Sequence, residues 1–237
     1  MAAGDIGAIL NKMTSKPEYI SQEVIYGGSS EPITPEEYTT NGGVQEFRFT
    51  YALKSAFLGS GIAGLPQQVP GDGWLASEVA NVFVANHDTE RVRAKLLLRP
   101  LVLTWWLLQH GPTSLTYKDG GNTYTLAHVF MLAYPYGVPT VLSAYEFDNF
   151  DAGPPNGAAG SCYAQGGTEG WCVWRQHEAT CFLTTFLSRR LCQHRWAAIE
   201  GMNAFRIAVS GDVGNIQTGS QQQLAFSRGK LDQRWSE

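Results

Sequence analysis

Residues 79–91 read VANVFVANHDTER, and this stretch decides the fold. The first seven of these residues are nearly all apolar, which is typical of a strand buried on both faces of a parallel sheet. The strand runs directly into three polar residues, Asn86, His87 and Asp88. Barrels of parallel strands carry their chemistry at the carboxyl ends of the strands, so we expect a functional site here.

The rest of the chain alternates between strand and helix patterns. Runs of β-formers predict strands over residues 19–25 (YISQEVI, with Glu23 near its end), 44–49, 79–85 and 138–145, and a short strand near 224–226. Apolar residues at helical spacing predict helices over 5–13, 124–134 and 195–205. This alternation predicts an α/β fold with parallel strands.

Composition excludes several classes of protein. The 237 residues carry 17 Lys+Arg and 21 Asp+Glu, a net charge of −4, and 43% of them are hydrophobic. A mildly acidic chain is not a dedicated nucleic-acid binder, which would show a basic excess. The most apolar stretch, residues 96–108, is interrupted by Arg99 and Pro100 and is shorter than the ~20 residues that span a bilayer. We therefore expect neither nucleic acid nor membrane as a partner.

Glu23 and Asp88 form the pair of residues with the clearest chemical potential. Two carboxylates across a cleft suit glycoside hydrolysis, in which one protonates the leaving oxygen and another stabilises positive charge on the sugar. The alternative is that each carboxylate caps a helix, pairs with a cation or is simply solvated. His87 and Asp88 would also suit a metal site or half of a nucleophilic triad, but the Gly-x-Ser-x-Gly motif that favours a triad is absent.

Several motifs in series resemble the α-amylase family of glycoside hydrolases, most closely its animal and actinomycete-type branch. FVANHDTER (83–91) and YISQEVI (19–25) resemble two hallmark strand ends of that family. The segment TYTLAHVFMLAYPYGVPTVLSAYEF (123–147) resembles the helix and strand that complete the family's barrel. GPPN (153–156), CQHRW (192–196) and GMNAFR (201–206) occur in the family's order.

The resemblance implies a fold, an activity and a set of site residues. Residues 1–206 would be the second half of a (β/α)8 TIM barrel, strands five to eight, and 207–237 the truncated start of an all-β sandwich domain. The activity would be endohydrolysis of α-1,4-glucosidic bonds in starch or glycogen with retention. The implied roles are general acid/base for Glu23, transition-state stabiliser for Asp88, and substrate binding for His87, Asn86 and Trp74. For Trp74, a place in the core is the alternative.

The sequence departs from the family pattern in one decisive way. The family's nucleophile lies in a Gly-x-Arg-x-Asp segment, and this sequence contains none. MAAGDI (1–6) resembles the residues that come directly after that segment in the family, so we expect the first half of the barrel, the nucleophile and the family's calcium ligands to lie outside this chain. Calcium is expected only for a full-length parent.

Chloride is not expected, because Pro139 and Thr140 stand where chloride-activated members carry a basic residue. The chain as written is then expected to be inactive, and the alternative is a non-catalytic glucan-binding remnant. Family habit implies an extracellular monomer.

Two segments, 92–110 and 173–191, have no counterpart in the family pattern. Our hypothesis is that both are translated introns, and the alternative is that they are genuine loop insertions. The four cysteines, Cys162, Cys172, Cys181 and Cys192, lack the close pairs of a zinc site, and their spacing leaves local disulfides or free thiols open. The resemblance implies a disulfide between Cys162 and Cys192.

Overall fold

The computed structural model describes residues 1–28, 31–91, 113–147, 152–153, 172–175, 178–181 and 190–229. Its α-helices are α1 (Ala3–Lys12), α2 (Phe47–Ser55), α3 (Leu65–Gln68), α4 (Thr123–Ala133) and α5 (Ala197–Ala208). Its strands are β1 (Ser21–Gln22), β2 (Gly43–Gln45), β3 (Ala80–Phe83), β4 (Val138–Thr140), β5 (Cys172–Arg175), β6 (Glu178–Cys181), β7 (Val213–Gln217) and β8 (Ala225–Arg228). Short 3₁₀ helices cover Pro35–Asn41, Ile62–Gly64 and Gln193–Arg195, and a π-helical segment, Ala56–Ser60, extends α2.

The first four strands form one parallel sheet in sequence order. Gln22 pairs with Val44, Val44 with Ala80, and Asn81 with Val138. The α/β fold with parallel strands is therefore confirmed. Because the strands are parallel, the residues that follow β1 and β3 lie at the same end of the sheet, and these include Glu23 and Asp88.

The strand predicted over residues 44–49 is wrong in its second half. It stops at Gln45 because α2 begins at Phe47. The Glu46 side chain accepts a hydrogen bond from the backbone N–H of Arg48 and so caps this helix. The apolar Phe47 and Phe49 are buried on α2 rather than on alternate faces of a strand.

The core lies between the sheet and the helices that cover it. All four residues of β3 are buried, as the apolar run predicted. Two of them, Ala80 and Val82, pack in one cluster with Phe49 and Leu53 of α2 and with Met131 of α4, all fully buried. Burying one such side chain stabilises the fold by roughly 1.5–3 kcal/mol, so this cluster fixes the sheet that carries the polar residues beyond β3.

Arg206, the last residue of the GMNAFR motif, holds the carboxyl end of α4. Its guanidinium donates to the carbonyls of Leu132 (3.2 Å), Tyr134 (2.7 Å) and Gly137 (2.6 Å). A cation at this end also interacts favourably with the helix dipole. The motif therefore joins α5 to α4 and to the turn that precedes β4.

The antiparallel pair β7–β8 packs on the outer side of α4. Val213 pairs with Arg228, and the Phe226 ring meets Phe130 and Tyr134 edge to face at 6.2 and 5.8 Å. The predicted short strand near 224–226 is thus found as β8. The predicted domain boundary after residue 206 falls inside helix α5.

The two atypical segments are only partly described. Residues 92–110 lie outside the described residues, whereas the second segment contains most of a hairpin in which β5 and β6 pair antiparallel. Cys192 is disulfide-bonded, and its predicted partner Cys162 lies outside the described residues, so that pairing stays a prediction. None of the described helices is long and apolar enough to cross a membrane.

Candidate active site

The turn after β3 is organised by the side chain of Asn86. Its Oδ1 accepts hydrogen bonds from the backbone N–H groups of Asp88 (3.1 Å) and Thr89 (2.8 Å). The Thr89 hydroxyl in turn accepts from the backbone N–H of Asn86 at 2.8 Å. These local side-chain-to-backbone bonds are what short Asn and Thr side chains make in turns. They fix the direction in which the chain presents Asp88.

The same Asn86 side chain reaches the ends of two other strands. Its Nδ2 donates to Oε1 of Glu23 at 3.3 Å and to Oε1 of Gln45 at 3.2 Å. Glu23 follows β1 and Gln45 ends β2, so one amide ties together three neighbouring strand ends. The structure thereby brings Glu23, Asn86 and Asp88, three residues predicted for the site, into one hydrogen-bonded network.

His87 and Asp88 project from this network into the open. The two side chains are 72% and 62% exposed, and His87 Nε2 lies 3.6 Å from Asp88 Oδ2. Asn86, by contrast, is only 9% exposed. In this turn, Asn86 is therefore buried and hydrogen-bonded within the protein. The His87 and Asp88 side chains are exposed and accessible to a ligand.

Trp74 lies apart from these residues. Its ring is half-buried against the core and packs on Tyr136, which precedes β4, with 5.9 Å between ring centroids. Among the described residues, no hydrogen bond, ion pair or ring contact joins Trp74 to Glu23 or Asp88. These contacts favour the core alternative for Trp74 over the aromatic platform.

Glu90 is a buried acid beside the site that the sequence pattern did not single out. It lies two residues beyond Asp88 and is only 5% exposed. Burial raises the pKa of its carboxyl to about 7, and the nearby cations Arg91 and Lys118 offset this only in part. The only sequence feature that could have drawn attention to Glu90 is its position two residues from Asp88, a candidate catalytic residue.

Arg91 connects the turn to the segment that follows β4. Its guanidinium donates to the Tyr145 hydroxyl (2.5 Å) and to the Ala152 carbonyl (3.2 Å), and it lies 4.7 Å from the centroid of the Phe147 ring. Arginine is suited to such combined hydrogen bonding and stacking. The wall of the site beyond β4 is therefore held against the turn that carries Asp88.

A metal centre is not assembled in the part of the chain that the structure describes. No group of three or more His, Cys, Asp or Glu side chains there is arranged to hold an ion. His87 and Asp88 form a pair without a third such ligand. The chemistry available at this place is that of exposed carboxylates and an imidazole at the carboxyl end of a parallel sheet.

Comparison with known proteins gives the family. No family model matches the sequence. The α-amylase of Streptomyces violaceus is 37% identical over 231 residues, covering 97% of this chain and 33% of that protein. The α-amylase of Tenebrio molitor is 35% identical over 213 residues, covering 89% of this chain and 38% of that protein. The chain belongs to the α-amylase family.

The fold comparison agrees with this assignment to the α-amylases. The crystal structure of α-amylase I from Eisenia fetida matches with a TM-score of 0.68 and 26% identity, covering 97% of this chain and 44% of that chain. A variant of the same Eisenia fetida enzyme in a maltohexaose complex matches with a TM-score of 0.69. The family predicted from the motifs is thus confirmed. The chain spans between a third and a half of the length of these α-amylases.

Proposed function

We propose that this chain supplies the acid/base and transition-state-stabilising part of an α-amylase active site, which hydrolyses α-1,4-glucosidic bonds in starch and glycogen with retention. The observation that carries the proposal is the Asn86 network. One amide contacts the Glu23 carboxylate through Nδ2 and the Asp88 backbone through Oδ1. Two carboxylates held together beyond the ends of parallel strands suit glycoside hydrolysis.

Each residue has a distinct role in this proposal. Glu23 protonates the glycosidic oxygen as it leaves and later activates the water that attacks. Asp88 binds the hydroxyls of the reacting sugar and stabilises its oxocarbenium-like transition state, and His87 donates a hydrogen bond to the same sugar. Asn86 was expected to bind substrate, but both of its amide hydrogens and its oxygen are engaged within the protein. This supports a role in holding Glu23 and Asp88 in place.

Retention also requires a nucleophile. The family supplies it from a Gly-x-Arg-x-Asp segment that this sequence lacks. We place β1–β4 as strands five to eight of the barrel and residues 207–237 at the start of the sandwich domain. The nucleophile and the calcium ligands then belong to preceding strands of a longer protein. That protein would be an extracellular monomer, and it would need no chloride, because Pro139 and Thr140 stand where chloride-activated family members carry a basic residue.

The test uses a fusion that places this chain behind the part of the Streptomyces violaceus α-amylase preceding the matched region. The fusion should release reducing sugar from starch, and Glu23→Gln should lower its rate roughly 10²- to 10⁴-fold. Glu18→Gln, an exposed acid in the loop before β1, is the control and should leave the rate unchanged. A small effect of Glu23→Gln would refute the assignment of the acid/base.

A non-catalytic glucan-binding role is the second candidate, favoured by the exposed His87 and Asp88 side chains in a chain without the nucleophile segment. The 237-residue chain alone should bind starch in affinity electrophoresis and release no reducing sugar. Hydrolysis by the chain alone would overturn this candidate and show that another residue acts as nucleophile.

A further inference from the structure

Arg48, the second residue of helix α2, is held by hydrogen bonds on each of its three side-chain nitrogens. Nε and Nη2 donate to Oε1 and Oε2 of Glu46, both at 2.6 Å, and Nη1 donates to the Gly73 carbonyl at 2.8 Å. The Arg48 side chain is 11% exposed and that of Glu46 is 0% exposed. A two-point bond to a buried carboxylate fixes the orientation of the guanidinium.

The Glu46 carboxylate is itself fixed by the backbone around it. Its Oε1 accepts from the backbone N–H of Arg48 at 3.1 Å, and its Oε2 accepts from that of Leu75 at 3.0 Å. On the solvent side, Nη2 of Arg48 also donates to the exposed Glu36 at 3.2 Å. The Arg48–Glu46 pair therefore forms a rigid unit between the end of β2 and the segment that leads into β3.

One face of the Arg48 guanidinium is covered by the ring of Tyr26. Cζ of Arg48 lies 4.4 Å from the centroid of that ring, which is within the distance of a cation–π interaction. Tyr26 is half-buried and lies three residues after Glu23, in the segment that leaves β1. The Arg48–Glu46 pair thus holds this segment at a point close to the proposed acid/base.

Glu23 depends on such a hold, because it lies beyond the paired part of β1. The pairing of β1 with β2 ends at Gln22 and Val44, so the ladder does not reach the Glu23 backbone. The Glu23 carboxylate is exposed, and its bond from Nδ2 of Asn86 is long, at 3.3 Å. Three residues of extended chain span at most about 10 Å, so a movement of Tyr26 is passed on to Glu23.

We propose that Arg48 is a positioning residue for Glu23: locked on Glu46, its guanidinium holds the Tyr26 ring and so sets the direction in which the Glu23 carboxyl meets the glycosidic oxygen. The inference rests on the proposed function, since it takes Glu23 as the acid/base. A proton is transferred only within hydrogen-bond reach, about 2.6–3.2 Å, so a small rotation of this segment slows the step. The hold requires the ring of Tyr26 and not its hydroxyl.

The first experiment is ¹⁵N relaxation of the 237-residue chain, which measures the order of each backbone amide. Tyr26→Leu removes the ring and leaves the buried Arg48–Glu46 pair intact. The order parameters of amides 23–26 should fall from the rigid value of about 0.85 to below about 0.6. Those of helix α4 should not change, which shows that the variant is folded. Tyr26→Phe keeps a ring and is the matched control, so it should behave like the unmodified chain.

The second experiment measures proton transfer in the fusion with the Streptomyces violaceus segment. Phenyl maltotrioside needs a proton on its leaving oxygen, whereas 2,4-dinitrophenyl maltotrioside has a leaving group that departs without one. Tyr26→Leu should lower kcat/KM for the phenyl glycoside roughly 3- to 30-fold, the range that corresponds to loss of a cation–π contact, and leave the dinitrophenyl value unchanged. Tyr26→Phe should change neither value. Arg48→Lys should act like Tyr26→Leu, because an ammonium cannot bind both oxygens of Glu46 in one plane.

The two experiments decide the proposal together. Lower order at residues 23–26 with a loss confined to the phenyl glycoside supports the positioning role. Unchanged order in Tyr26→Leu overturns it, and so does a loss that is equal for both glycosides, since a merely structural effect does not depend on the leaving group. Glu23→Gln separates this inference from the proposed function. If Glu23→Gln affects both glycosides alike, the acid/base assignment fails, whereas if only Tyr26→Leu does so, the positioning role alone fails.

Discussion

Replacing Glu90 by Gln should make the chain more stable at alkaline pH and leave it unchanged at acid pH. Burial raises the pKa of the Glu90 carboxyl from 4.5 to about 7 in the folded chain. As pH rises from about 4.5 to 7, the unfolded chain releases this proton while the folded chain keeps it. The contribution of Glu90 to the free energy of unfolding therefore falls over this interval and stays low above it. Gln has the same size and does not ionise, so the variant escapes this loss.

The size of the effect follows from the change in pKa. A move from 4.5 to about 7 corresponds to at most roughly 3 kcal/mol of unfolding free energy. Relaxation of the protein around the ionised carboxylate, and water entering from the pocket that Glu90 and Tyr145 line, reduce this to about 1–2 kcal/mol. In urea, a difference of that size moves the unfolding midpoint by about 0.5 M.

The assay is urea unfolding followed by tryptophan fluorescence at pH 5 and pH 8. At pH 5, Glu90→Gln and the unmodified chain should unfold at the same urea concentration, whereas at pH 8 the variant should unfold at the higher one. Glu78→Gln should follow the unmodified chain at both values, because Glu78 is exposed. If Glu90→Gln keeps the pH dependence of the unmodified chain, or is less stable at pH 8, the reasoning about its burial is refuted.

Two further predictions concern helix α4. Burial lowers the pKa of His128 to about 4, and the hydrogen bond between its Nδ1 and the Tyr124 carbonyl offsets this only in part. The contribution of His128 to the free energy of unfolding should therefore fall by up to about 3 kcal/mol as pH drops from 6.5 to 4, opposite in sign to that of Glu90. Relative to the unmodified chain, His128→Asn should gain stability as pH drops from 6.5 to 4 in thermal melts, and a difference between the two that stays the same at both ends of the interval would contradict the assignment. Arg206→Ala should lower the free energy of unfolding by roughly 2–3 kcal/mol, because three carbonyls at 2.6–3.2 Å, and that of Met131 at 3.4 Å, lose a charged donor. Arg206→Lys should recover only part of this in urea unfolding, since an ammonium cannot bridge all three; full recovery would show that charge alone matters.

The sequence predicted the parts of the fold that depend on local pattern. The apolar run of β3 and the helical period of α4 each produced the expected element within a few residues. Helix α2 was missed, because its apolar residues follow β2 with only Glu46 between them. Only the capping bond of Glu46 shows that the chain turns into a helix there. Caps of this kind are set by backbone geometry, which alternation of residue types does not reveal.

The placement of Glu23 and Asp88 at one end of the sheet was predictable from the sequence, whereas the hydrogen bonds of Asn86 in the candidate site were not. Glu23 and Asp88 follow apolar strands, and parallel strands bring such residues to one end of a sheet. The partners of Asn86, however, lie 63 and 41 residues away, and which oxygens its amide meets depends on how three strands are staggered. Glu90 was missed for the same reason. Whether the Glu90 carboxylate has a donor depends on where Arg91 and Lys118 make their own hydrogen bonds, and their partners lie far away along the chain.

The division between buried and exposed groups explains how such a turn can serve catalysis. The Asn86 and Thr89 side chains form hydrogen bonds with the backbone of this turn, so they are not available to bind a sugar. They can therefore hold Asp88 and Glu23 in one geometry whether or not substrate is present. In the proposed function, the exposed His87 and Asp88 side chains keep their hydrogen-bonding capacity for the sugar. Substitution of Asn86 should accordingly disturb two carboxylates at once, whereas substitution of His87 should remove a single contact with the sugar.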